Sequence, residues 1–231
     1  MRGRPDGYIT AAEQDWLLPL YDPVLRVLFR EEQAKRQLLA QADVRPGHRV
    51  LDVGCGTGTL AILIKTEHPE ARVVGVDGDP KVLAIARRKV AEAEIDVALD
   101  EGFAYALPYP DGSSDRVFSS LVFHHLTREH KERALAEILR VLAPGGAFHL
   151  LDFGRPVSAW ERAVTHLLFR GPEARDNIAG RLADLLREAG FAEVEELARR
   201  GTIVGSVWYY RAAKAPSGSG SAAKRPCDVP R

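Results

Sequence analysis

Arg49-Val50-Leu51-Asp52-Val53 runs straight into Gly54-Cys55-Gly56-Thr57-Gly58, and the helical pattern of Thr59–Glu67 follows at once. A second β-like run over 72–76 ends on Asp77. Strand, glycine turn, helix and a second strand tipped by a carboxylate fit within about thirty residues, the size of a βαβ unit. Glycines allow a sharp turn and close backbone approach to a ligand, because no Cβ intervenes. The helix beyond them offers free N–H groups and a positive dipole end. Asp77 stands nineteen residues past Gly58, the separation at which an acid can accept hydrogen bonds from ribose hydroxyls. The ligand so described is a ribonucleoside.

Asp52 narrows the choice. A dinucleotide lays its pyrophosphate over such a turn, and a carboxylate at the strand end would repel it. A ligand with a positively charged amino-acid part would be attracted instead. The third glycine also departs from the dinucleotide spacing, since the turn reads Gly-x-Gly-x-Gly. A purely structural glycine turn, or NAD or FAD binding, stands as the alternative at this point. Val50-Leu51-Asp52-Val53-Gly54-Cys55-Gly56-Thr57-Gly58 closely resembles motif I of the class I (Rossmann-like) S-adenosylmethionine (SAM) methyltransferases.

The likeness extends over residues 44–211. Leu107-Pro108-Tyr109-Pro110-Asp111-Gly112 and Leu139-Arg140-Val141-Leu142-Ala143-Pro144-Gly145-Gly146 resemble two further segments of that family, in the family's order. The resemblance implies an α/β fold with a doubly wound, mostly parallel seven-stranded sheet, a C-terminal antiparallel hairpin and an N-terminal helical cap. It implies SAM as cofactor and S-adenosyl-L-homocysteine as product. Cofactor contacts are expected from Asp52, Gly54, Cys55, Gly56, Gly58, Asp77, Gly78, Gly102, Phe103, Ala104 and Ser120. Many members carry an aspartate for the adenine amino group where this chain has Phe103; a ring packed on adenine replaces it, or else a core phenylalanine.

The totals bound the rest. At 231 residues there is room for one α/β domain and little else. Lys+Arg and Asp+Glu are equal at 32 each, so no global field draws in nucleic acid or an anionic membrane. No run approaches a transmembrane helix, and the start lacks the apolar core of a signal peptide. With Cys55 in the glycine turn and Cys227 in the tail, a disulfide is not expected and the cytoplasm is the default setting. No Cys/His set has zinc-ligand spacing, so no metal is expected. The expected divisions are a helical cap at 1–43, the SAM-binding domain at 44–212 and a disordered tail at 213–231, rich in Ser and Gly. A monomer or weak homodimer is expected.

Along the chain, the pattern predicts a helix over 30–42 and, from the Asp79-Pro80 cap signal, another over 81–93. Strands are predicted over 95–99, 116–120 and 147–153, with an amphipathic helix over 127–142. Helices over 157–169 and 179–189 follow, separated by a polar loop over 171–177. Two strands, 191–198 and 202–211, are joined at Arg199-Arg200-Gly201.

For the chemistry, His124 and His125 follow directly on a strand whose carboxyl end is where doubly wound sheets bind ligands. A base is needed only if the acceptor must lose a proton, as a phenol or enolic carbon does; an imidazole suits that task. His124 is the first candidate and His125 the second, against a role in bonding loop backbone. Tyr8, Tyr21, Asp152 and Arg155 are candidates to line the acceptor pocket, with packing, capping or surface pairing as the alternative. Tyr21-Asp22 and the histidine pair resemble the branch that contains quinone-biosynthesis C-methyltransferases. The expected activity is methyl transfer to a small-molecule acceptor at O, N or C. An RNA or protein methyltransferase, or a SAM-binding protein without catalysis, is the alternative.

Overall fold

The computed structural model describes residues 31–169 and 171–217. The expectations on Tyr8, Tyr21, the first 30 residues and the tail from 218 onward lie outside the described residues.

The chain alternates as the patterning predicts. Helix α1 (Glu31–Ala40) leads to β1 (Arg49–Val53), α2 (Thr59–Glu67), β2 (Arg72–Asp77), α3 (Pro80–Glu92) and β3 (Val97–Glu101). Then come β4 (Ser114–Ser120), a 3-10 turn at Phe123–His125, α4 (Arg128–Val141) and β5 (Leu142–Phe153). The rest is α5 (Ala159–Leu168), α6 (Arg175–Ile178), α7 (Leu182–Glu188), β6 (Glu193–Thr202) and β7 (Gly205–Ala213). The seven strands stand in the order β3-β2-β1-β4-β5-β7-β6. β1 pairs in parallel with both β2 and β4, so the winding reverses at β1. Only β7 breaks the pattern, pairing antiparallel with β5 and β6. A crevice beyond the carboxyl ends of β1 and β4 is thus where this topology places a ligand.

One apolar cluster on one side of the sheet joins Leu51 and Val117 to Ile138, Leu185 and Tyr210. The other joins Val50 and Phe118 to Leu38, Ile64 and Tyr209. Through Leu38 and Leu39, α1 belongs to the sheet's own core. β7 runs to Ala213, one residue past the expected domain boundary. No helix among the described residues is long and apolar enough to cross a membrane.

The departures from the predicted elements have local causes. β3 sits two residues later than 95–99, because Glu94 takes a positive φ of 52° and the chain straightens only after it. α5 begins at Ala159, where Ser158 and Glu161 form a reciprocal capping box. The stretch 171–177 is not all loop: α6 forms there, held by Arg128 on Asp176 at 3.1 Å. Gly180, with φ +74°, separates α6 from α7, so the helix predicted over 179–189 starts at Leu182. The last hairpin turns between Thr202 and Gly205, with Gly205 at φ +129°, and Arg199 and Arg200 lie within β6. Arg-Arg-Gly looked like the turn, but the second glycine takes the positive φ.

Candidate functional site

The glycine turn is stitched to the sheet by its own backbone. Gly54 and Cys55 both donate to the carbonyl of Val76, at 2.8 and 3.0 Å, and Gly58 donates to Cys55 O at 2.9 Å. Gly54 has φ +70°, and a Cβ there would stand 2.4 Å from Val122 Cγ2, so the turn lies tight against the loop after β4. Gly56 is the opposite case: with φ +56°, a Cβ would meet nothing within 4 Å among the described residues. One side of the turn is closed by packing and the other is open. Gly58 caps α2 in the left-handed conformation with no side-chain bond to the first-turn N–H groups.

Two carboxylates flank this opening. Asp52 is 1 % exposed, and its Oδ2 has no hydrogen-bond partner among the described residues. Burial pushes its pKa up to about 7; Lys35 opposes the shift and Asp77 adds to it. Asp77 accepts from Gly56 N through Oδ2 and from Asp79 N through Oδ1, each at 2.9 Å. Burial raises its pKa as well, against those backbone donors. Gly78 N–H acts on the carboxylate as well, and lone-pair capacity remains for a ribose hydroxyl. Gly78 is half-buried in the turn that follows, and Gly102 donates to Asp77 O at 3.0 Å, which brings the end of β3 alongside.

Phe103 and Ala104 are half-buried beside this edge. The Phe103 ring stacks on Tyr105, with centroids 5.3 Å apart and planes within 10°, and Tyr105 stacks in turn on His130 at 4.1 Å. Ser120 ends β4 with its buried Oγ unpartnered among the described residues. Cys55 differs from its neighbours. Its side chain is buried against Gly75, whose Cβ would stand 2.9 Å from Sγ, and burial raises the thiol pKa. The Cys55 N–H donates to Val76 O of β2, and its C=O accepts from Gly58 N. The Cys55 side chain packs beneath the turn.

An open cradle at Gly56, an orphaned carboxylate oxygen at Asp52 and an orphaned hydroxyl at Ser120 suit a ligand with an amino-acid ammonium and a ribose. Residues 50–146 match a methyltransferase domain family. The demethylmenaquinone methyltransferase of Deinococcus radiodurans is 38 % identical over 156 residues, covering 67 % of this chain and 64 % of that protein. Its namesake from Symbiobacterium thermophilum is 32 % identical over 215 residues, covering 79 % of this chain and 85 % of that protein. The chain belongs to the class I SAM-dependent methyltransferases. Its cofactor is SAM, the cofactor of that family, and the donor set above fits it. A SAM-dependent methyltransferase from Aquifex aeolicus shares the fold, with a TM-score of 0.62 at 21 % identity over 86 % of this chain and 96 % of that one. The chain spans just under two thirds of the length of the Deinococcus relative and of a Thermus thermophilus relative with the same name.

The second half of the candidate site is built around Asp152, at the end of β5. Asp152 is fully buried. Its Oδ2 accepts from Val122 N at 3.0 Å and Phe123 N at 2.7 Å. Its Oδ1 accepts from Phe153 N at 2.7 Å, His124 Nδ1 at 2.8 Å and Asn177 Nδ2 at 3.1 Å. Burial alone would raise its pKa, but His124 and these donors overcome it and hold the carboxyl below the usual range. An ionised carboxylate only accepts, so Nδ1 of His124 carries the hydrogen and Nε2 is left as the basic atom. The oxygens of Asp152 are thus engaged in holding the histidine turn and Asn177. Leu121, with φ +60°, starts that turn from the strained left-handed region.

His124 is buried to 9 % exposure, edge-on to Phe153 at 4.9 Å and Phe169 at 5.9 Å. His125 lies 3.9 Å from it, ring to ring, and is pushed down to about 4 by burial and by His124. Phe169 also lines a cleft of about 320 Å³ with Gly171, Arg175, Ile178 and Ala179. Arg155 is drawn elsewhere. Its guanidinium pairs with Glu196 at 3.1 Å and lies 4.2 Å over the Trp208 ring. In this structure the cation is thus held between β6 and β7.

Asn177 and Phe169 are the residues that the sequence did not single out. Asn177 sits in a stretch that reads as polar loop, and no periodicity ties it to Asp152 25 residues earlier. Phe169 follows a helix with no local mark of function.

Proposed function

We propose that this protein transfers the methyl group of SAM to a small, largely apolar acceptor that loses a proton from oxygen or an acidic carbon. When bound, SAM supplies a methyl group on sulfonium sulfur, already activated for displacement. Asp52 would take the ammonium of its methionyl arm, Asp77 the ribose hydroxyls, and the open side of Gly56 would admit the chain between them. Gly102, Phe103 and Ala104 stand at the edge where the adenine would lie, and Ser120 offers a hydroxyl from β4.

The single observation that carries the acceptor chemistry is the His124–Asp152 contact of 2.8 Å. Asp152 holds Nδ1, so His124 can receive the acceptor's proton on Nε2 and keep it as imidazolium beside the carboxylate. The aromatic rims of Phe153 and Phe169 and the adjoining cleft exclude water and favour an apolar acceptor. His125, pushed down to about 4, stays neutral near pH 7 and serves as a wall of the site. The names of the Deinococcus and Symbiobacterium relatives place their own chemistry on demethylmenaquinone, which supports an apolar quinol-like acceptor here. A reducing cytoplasm suits the buried free thiol of Cys55.

His124→Gln tests this reading. With such an acceptor, kcat should fall by about 100-fold or more while the Kd for SAM stays unchanged. An undiminished kcat would mean that positioning alone suffices and that His124 is not the base.

A further inference from the structure

Asp52 and Asp77 together make the cofactor cradle acidic, yet the arm that must enter it is a zwitterion. Its carboxylate needs a cation. α1 runs antiparallel to β1, β4 and β5: its C-terminal end lies at the amino edge, where Arg116 Nε donates to Ala42 O at 2.7 Å. Ten residues of helix span about 15 Å, enough to carry its first turns to the carboxyl edge. There Gln33 accepts from Arg200 at 2.9 Å, and Arg200 lies in register with Val207 and, through it, with Phe153 at the end of β5.

Lys35 belongs to the buried face of this helix with Ala34, Leu38 and Leu39. It is 7 % exposed, unusual for a lysine, and its ion-pair partner is Glu31 at 2.5 Å, itself buried. Of its three ammonium hydrogens, that contact uses one. Among the described residues, Lys35 is the cation that acts on both Asp52 and Cys55 in the glycine turn.

We propose that Lys35 is the receptor for the carboxylate of the methionyl arm, completing with Asp52 a site for a zwitterionic amino-acid group. This rests on SAM being the cofactor. It makes α1 part of the cofactor site and gives the segment before β1 a role that motif I does not contain. It also explains a buried Glu31–Lys35 pair at the one place where a second carboxylate would otherwise be repelled.

Calorimetric titration of the full chain with SAM and with decarboxylated SAM isolates the contact, since the two ligands differ only in the carboxylate. The wild type should prefer SAM by about 10- to 100-fold, the worth of a charge-assisted hydrogen bond. In Lys35→Met the preference should collapse to about onefold, through loss of SAM affinity and not of affinity for the decarboxylated ligand; Lys35→Arg should restore most of it. Glu31→Gln/Lys35→Met removes both charges and gives the same reading if the single variant does not fold. Equal affinity of the wild type for the two ligands, or a preference that survives in the neutral double variant, overturns the proposal. Failure of the wild type to bind either ligand would instead count against the cofactor assignment on which the proposal rests.

Discussion

Asp52→Asn gives a test whose sign and size follow from burial alone. The Asp52 carboxyl is held at about 7 in the folded chain, against an ordinary 3.8. A carboxyl with a raised pKa binds its proton more tightly folded than unfolded. The stability it provides is therefore complete in acid, falls as pH rises above the unfolded value, and is gone once pH exceeds about 7. At about 1.4 kcal/mol per unit, the whole effect is of order 4 kcal/mol, of which about 3 kcal/mol falls between pH 5 and pH 8. For a domain of this size that corresponds to a Tm difference of about 6–12 °C. Ligand-free wild type should thus lose this much Tm relative to Asp52→Asn as the buffer is moved across that window, in calorimetry or dye-monitored melting. Taking the difference removes every other titration that the two proteins share. A bound ammonium reverses the preference by favouring the ionised carboxyl. SAM affinity in the wild type should then rise by up to about tenfold per pH unit below 7 and level off above it, and stay flat in Asp52→Asn. Parallel melting curves for the two proteins would refute the buried, unpartnered carboxylate and the ammonium role built on it.

Three further outcomes follow from single contacts. Gly54→Ala should cost about 1–3 kcal/mol in chemical denaturation, because it adds a Cβ against Val122 at a positive φ; Gly54→Ala/Val122→Ala should recover the contact part alone. Asp152→Asn replaces an acceptor shared by five donors, so stability should drop by about 2–4 kcal/mol and kcat by about 10²–10⁴, with the KM for SAM little changed. His149 is buried in β5 with both ring nitrogens unpartnered among the described residues and is pushed down to about 3 by burial and by Arg116 and Arg211. Its pKa is depressed, so stability is lost as pH falls below the unfolded value; His149→Phe should gain about 2 kcal/mol near pH 5 over any gain near pH 8, read from melts at both.

The first half of the site could be read from the chain because its signals are local. Glycines at fixed offsets, an apolar strand before them and an acid after the next strand are the structure itself, laid out in order. Asp79-Pro80 is another such case: Asp79 Oδ1 accepts from Lys81 N at 2.9 Å and opens α3 where the sequence placed it. The second half is tertiary. Asp152, His124 and Asn177 come from three separate segments, and an acid at a strand end reads the same whether it faces a ligand or five backbone and side-chain donors. Arg155 shows the same limit, since only the fold of β6 and β7 brings Glu196 and Trp208 to it. Lys35 was hidden for a different reason: a lysine four residues after a glutamate on a helix looks like a solvated pair, and only burial marks it out.

The most direct test of the proposed activity is transfer of label from methyl-labelled SAM into an extract of cells that make the protein, separated by size. Label should enter the metabolite fraction with the wild type and fall sharply with Asp77→Ala, which also leaves Gly56 N and Asp79 N without their acceptor and should weaken SAM binding by about 1–3 kcal/mol. Label confined to macromolecules, or undiminished transfer by Asp77→Ala, would contradict the account.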